Sequence, residues 1–293
     1  MKPLLRALPW AAALAAMWTV KATLGLFVVN LLLIYVMVAV GLNLLMGFTG
    51  QISAGHAGFL AVGAYVAAIL GKVAPGLGLV GALGAAGLVT AVVGLLIGLP
   101  ALRLTGFYVA MATLAFGVVV AEAILQLKAW TGGADGLYVS VPSLFGLTLA
   151  SDERKFWVVL AAAVLTVATA ASLSRSKVGR AFLALKESPV AAEAMGIHTA
   201  LYRTLAFVLS AFYTGVAGGL FAYVVGYVSP DAFSLEMSID FAAMVIIGGM
   251  GSIWGSILGA AFLTALNQSL ASLQDARALV FGMAVVLSMI FMP

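Results

Sequence analysis

Between Lys21 and Lys72 the chain carries no Asp, Glu, Lys or Arg. A membrane-spanning helix takes about 20 apolar residues, so this run is long enough for two crossings. It cannot be one helix, because Gly47, Gly50, Gln51, Ser53, Gly55 and His56 interrupt it midway. Similar runs recur to the C-terminus. Hydrophobic residues make up 64% of the chain and charged residues 8%, where ordinary soluble domains hold about 25% charged. Apolar surface on that scale has no place in a water-soluble fold. The chain reads as an all-α integral membrane protein, one polytopic unit over 1–293.

The charges divide it into ten expected spans. The first, 7–20, follows Lys2 and Arg6; further spans follow at once, which favours a span over a cleaved signal peptide. Two more lie in the run to Lys72, broken near 47–56. Others are expected at 77–99, 105–127, 156–173 and 205–227. The run from Asp240 to Asp275 is too long for one helix and splits at 248–252. The last covers 278–291. Both termini then lie inside. This topology places Lys2, Arg6, Arg103, Arg175, Lys177, Arg180, Lys186 and Arg203 in the cytoplasm. Lys21, Lys72, Lys128, Arg154, Lys155 and Arg277 fall outside. The densest basic cluster is internal, as the positive-inside rule requires.

That cluster sits in 174–203. Ser188 suits a helix N-cap and Pro189 the first helical position, where its missing N–H costs nothing. Gly196 is placed to end the helix in the left-handed conformation. A two-turn helix, 189–195, is marginal alone and needs something to pack on. A solvated basic loop is the simpler alternative.

Glycines mark the remaining features. Gly251, Gly255 and Gly259 form a ridge at spacing four, and Gly94 with Gly98 and Gly215 with Gly219 repeat it. Such ridges let helix backbones approach closely. Gly47-x-x-Gly50 is echoed by Gly248-x-x-Gly251, and paired glycine-interrupted spans are how many transporters build a central pathway. Irregular backbone at membrane depth is tolerated where protein or water satisfies it. The expected pathway residues are therefore the polar ones near the breaks: Asn43, Gln51, Ser53, His56, Tyr108, Thr113 and Ser252. His56 has no neighbouring ligand that would make a metal site, and it suits hydrogen bonding of freed backbone. Glu122 is the one carboxylate well inside an apolar run, either functional or paired with Lys128 at the outer surface. Gly76-x-Gly78-x-x-Gly81 lacks the strand and the acidic residue of a dinucleotide site, and no P-loop occurs. Cysteine is absent, which excludes thiol chemistry and disulfides. The net charge of +4 is too scattered for nucleic acid.

Gly179-Arg180-Ala181, then Ala191-Ala192-Glu193-Ala194-Met195-Gly196-Ile197, resembles the coupling segment of ATP-binding-cassette (ABC) importer permeases. The stretch from Gly41-Leu-Asn43 through Gly63-Ala64-Tyr65 is similar to the signature of branched-chain amino acid importer permeases of the LivM type. Gly106–Phe116, Thr131–Leu137 and Gly248–Ala260 match further blocks in the family's order.

The resemblance implies a permease subunit of an ATP-driven importer for neutral branched-chain amino acids. Its partners would be a second related permease, two ABC ATPase subunits and an external substrate-binding protein, in a bacterial inner membrane. ATP would be used by the partners, with no cofactor held by this chain and no enzymatic activity of its own. The coupling helix would use Gly179, Arg180, Ser188, Pro189, Ala191, Ala192, Glu193 and Gly196 to meet the ATPase. Another small neutral solute, such as an aromatic amino acid, an amide or urea, is an alternative cargo. A secondary transporter is disfavoured, because it would need a coupling-ion site and mid-span acids are lacking.

Overall fold

A computed structural model describes residues 25–102, 106–141, 143–144, 147–149, 151–269 and 282–283. The expected span at 7–20 lies outside the described residues, as does nearly all of the one at 278–291. The long uncharged run becomes two helices, α1 (Leu26–Thr49) and α2 (His56–Val73). After a 3-10 turn at Pro75–Leu77 come α3 (Gly78–Ala101), α4 (Phe107–Gln126) and α5 (Asp152–Arg175). Two short helices follow, α6 (Lys177–Glu187) and α7 (Pro189–Ala194), then α8 (Thr199–Val225). The second break separates α9 (Leu235–Gly248) from α10 (Ile253–Ser269).

Among the described residues six helices are long and apolar enough to cross a membrane: α1 to α5 and α8. The helices flanking the second break have 14 and 17 residues. At 1.5 Å per residue the first reaches roughly 21 Å, short of a hydrocarbon core of about 30 Å, and the second runs to Ser269, the last residue described in that stretch. Of the ten expected spans, the described residues thus hold six long helices and the two that flank the second break.

The centre is α8, which packs chiefly against α3, α2 and α1. Small residues permit this. A Cβ on Gly94 would sit 2.5 Å from the Ala211 Cβ, and one on Gly98 would sit 3.2 Å from the Phe207 Cβ. From the other side, a Cβ on Gly215 would lie 2.5 Å from Thr90, and one on Gly219 would lie 2.8 Å from Leu83. The two glycine pairs noticed separately in the sequence are the two sides of one α3–α8 interface. Helices α3, α4 and α5 leave most of their apolar surface exposed, whereas α1 and α8 are mostly buried.

The loops sort to two ends. At one, Leu137–Tyr138 pairs antiparallel with Tyr227–Val228, holding the 127–151 loop over the α8–α9 turn. At the other lie both glycine breaks, α6 and α7. The sequence leads one to expect a single helix, 189–195, within 174–203, and the structure adds a second, α6. Its Val178, Phe182 and Leu185 recur at helical spacing, and Phe182 and Leu185 are buried, which makes it an amphipathic helix lying on the bundle.

Candidate functional site

The end of α1 is the first half of the site. The Thr49 hydroxyl donates to the Leu45 carbonyl at 2.6 Å, and Gly50 turns the chain with φ +73°. Gln51 Nε2 donates to Thr49 Oγ1 at 2.9 Å and to the Arg203 carbonyl at 3.4 Å. The chain then runs back to the start of α2, and two of its amides meet side chains from other helices. Ala54 N–H donates to Thr113 Oγ1 at 2.9 Å, and Ala57 N–H to Ser238 Oγ at 3.0 Å. His56 bonds Ser53 Oγ through Nδ1 at 2.9 Å and Ser210 Oγ through Nε2 at 2.7 Å. A neutral imidazole donates from one nitrogen and accepts at the other, and serine hydroxyls can serve either. This break is therefore tied by hydrogen bonds to α4, α8 and α9.

The second break lies against the first. Gly251 N–H donates to Asn43 Oδ1 at 2.8 Å, and Asn43 Nδ2 donates to the Ser252 carbonyl at 2.8 Å. A Cβ added to Gly47 would meet the Gly251 amide nitrogen, so the backbones touch. Ser252 Oγ caps α10 by accepting from Gly255 N–H at 3.1 Å. The expected glycine ridge divides. Gly255 and Gly259 pack α10 onto α9, where added Cβ atoms would meet the carbonyls of Gly248 and Met244. Gly251 is not on a helix; it lies in the break with φ +87°.

The basic segment reaches both breaks. Ser176 starts α6, accepting from Val178 N–H at 3.1 Å, and Gly179 fits beneath the Leu173 and Ser174 carbonyls, where a Cβ would not. Arg180 reaches back to the Arg175 carbonyl at 3.3 Å. The Lys186 stem runs 3.6 Å from the Cβ position of Gly50, and its Nζ lies 3.8 Å from that of Gly251. Ser188 caps α7 by accepting from Ala191 N–H at 3.2 Å, with Pro189 at its first turn. Gly196 closes it with φ +80°, and Ile197 N–H returns to the Ala192 carbonyl at 2.9 Å. Only Ala192 of α7 is buried; Val190, Ala191, Glu193 and Met195 are exposed. The Glu193 carboxylate accepts from Thr199 Oγ1 at 2.5 Å, bracing α7 on the first turn of α8.

Asn43, Gln51, Ser53, His56 and Thr113, expected to line a pathway, are buried within the subunit, where they hold the breaks in place. Tyr108 and Ser252 are exposed. Glu122 does not pair with Lys128; it accepts from Gln126 Nε2 at 2.7 Å on an exposed helix face. Three residues of the site were missed in the sequence: Lys186 as a link to both breaks, and Ser210 and Ser238 as their anchors. The two serines lie 154 and 181 positions from their partners, and no local pattern marks them.

The chain matches, over residues 24–292, the family described as branched-chain amino acid transport system / permease component. It belongs to that family. It is 33% identical to the high-affinity branched-chain amino acid transport system permease protein LivM of Salmonella typhimurium, and 34% identical to that of Escherichia coli. Both alignments cover 96% of this chain and 72% of the relative. The autoinducer 2 import system permease protein LsrC of Klebsiella pneumoniae is 35% identical over 47% of this chain and 41% of its own length. No solved structure matches.

Proposed function

We propose that the chain is the permease subunit of an ATP-driven importer of neutral branched-chain amino acids in a bacterial inner membrane. It would form the translocation pathway with a second related permease, and the full chain would cross the membrane ten times. Two ATPase subunits would bind at the end bearing α6 and α7, and a substrate-binding protein would deliver cargo at the opposite end. The observation that carries this reading is the α6–α7 segment. Its outer side is an exposed capped helix, and its inner side touches both glycine breaks through Lys186.

Charge placement supports the orientation. Arg175, Lys177, Arg180, Lys186 and Arg203 gather at the α6–α7 end with Glu187 and Glu193, against Lys72, Lys128, Arg154 and Lys155 at the other with Asp135, Asp152, Glu153 and Asp231. The denser basic cluster is the one expected on the cytoplasmic face. The buried polar residues of the breaks would hold two broken helices together while the exposed Tyr108 and Ser252 face the pathway. The test is ATP-dependent leucine accumulation in proteoliposomes holding the complete complex. Accumulation that needs ATP and loaded binding protein supports the reading; accumulation driven by an ion gradient without ATP refutes it.

A further inference from the structure

A cavity of about 340 Å³ opens between α4, the start of α2 and the turn leading into α9. Its wall is mostly a stripe on α4: Leu114, Gly117, Val118, Ala121 and Leu125 recur at helical spacing. Phe233 and Leu235 face them. Its floor is the first break, where Ala54, Ala57 and Gly58 line it. Three polar residues stand apart in this apolar lining, and one of them, Ser234, is taken up in capping α9 by accepting from Met237 N–H at 3.3 Å. Asp231 lies at the external end and makes no ion pair among the described residues. Ser238 is 3% exposed; its oxygen accepts from Ala57 N–H, and its hydroxyl proton has no acceptor among the described residues. Size, apolar wall and a few placed polar groups are the attributes of a small-molecule site.

We infer that this cavity is a transit site for a small zwitterion with an aliphatic side chain. The side chain lies on the α4 stripe, the ammonium group faces Asp231, and the carboxylate accepts from Ser238. The inference rests on the transport reading above and deepens it. Because Ser238 also holds the Ala57 N–H in the first turn of α2, the site ends on the break itself, and cargo reaching Ser238 touches the element that must move.

Gly117 offers a direct probe, since the nearest atom to an added Cβ is the Gly55 Cα at 4.0 Å. Gly117→Leu would fill the cavity without a backbone clash at its Cβ. Ala121→Val would narrow it, and Val119→Leu, exposed on another face of α4, is the control. The complete complex in proteoliposomes is assayed for leucine uptake, for the leucine-to-valine uptake ratio, and for ATP hydrolysis stimulated by loaded binding protein. Gly117→Leu should cut leucine uptake about tenfold or more while stimulated hydrolysis persists. Ala121→Val should lower the leucine-to-valine ratio, which a general loss of structure would not do, and Val119→Leu should match wild type. If Gly117→Leu prevents assembly, the Ala121→Val ratio decides. Wild-type leucine uptake and an unchanged ratio in the variants would overturn the site while leaving the transport reading intact. A wild-type complex that carries no branched-chain amino acid would overturn that reading, and the proposed ligand with it.

Discussion

Asn43 and Ser252, 209 positions apart, are joined by a hydrogen bond of 2.8 Å from the Asn43 amide to the Ser252 carbonyl. The same side chain accepts from Gly251 N–H at 2.8 Å. One asparagine thus satisfies the Gly251 N–H left free where the second helix pair breaks and adds a donor to the Ser252 carbonyl, which also accepts from Ser256 N–H at 3.0 Å, so it fixes the two breaks to each other. Asn43→Ala would leave the Gly251 N–H without its partner in a part-buried setting, at a cost of about 1 kcal/mol. The expected outcome is a lower unfolding midpoint in detergent. An unchanged midpoint would mean that water replaces the amide.

The glycine contacts give a sharper contrast. A Cβ on Gly63 would sit 2.6 Å from the Gly215 Cα, whereas one on Gly84 has nothing within 4 Å. Gly63→Ala should therefore force α2 away from α8 and reduce the yield of folded protein. Gly84→Ala should fold as wild type and gain slightly, because alanine is the better helix former by about 1 kcal/mol. Equal yields of both variants would show that the α2–α8 crossing is looser than the structure has it.

Much of this arrangement was legible in the sequence, for physical reasons that can be named. The positions of both breaks follow from glycine and polar residues interrupting apolar runs. The α7 caps, Ser188 and Gly196, follow from local hydrogen-bond chemistry, which the observed bonds match. What was not legible depends on distant pairing. His56 was expected to bond freed backbone; instead its two nitrogens meet Ser53 and Ser210. The Ser210 and Ser238 anchors have no signal beyond being small polar residues in helices. The helix at 177–187 adds to the one expected in 174–203, and it forms because its apolar residues recur at helical spacing and pack on the bundle.

Lys186 lies beside Gly50, at the C-terminal end of α1, and beside Gly251, just past the end of α9. Helix C-termini carry partial negative charge, and a nearby cation stabilises them by about 0.3–1 kcal/mol. Lys186→Met keeps the stem and removes the charge. If the charge favours one arrangement of the breaks, transport should change by about two- to fivefold with assembly intact. Uptake at the wild-type rate would make the lysine a passive neighbour.

The orientation can be read by chemistry, since the chain has no native cysteine. Lys177 and Ala134 are both exposed, at opposite ends. In intact cells a cysteine at Ala134 should react with a membrane-impermeant thiol reagent, and one at Lys177 should react only after the membrane is opened. The reverse pattern would invert the proposed topology.

The central claim is that α7 transmits ATP hydrolysis by a partner to the breaks. Gly196 holds φ +80° with open space around it, so Gly196→Val adds strain of about 1–2 kcal/mol at the cap without a collision. The most direct measurement is ATP hydrolysis by the reconstituted complex, with and without leucine-loaded binding protein, for wild type and Gly196→Val. The account predicts strong stimulation in wild type, and stimulation largely lost in a variant that still inserts and folds. Full stimulation in Gly196→Val, with assembly unchanged, would contradict it.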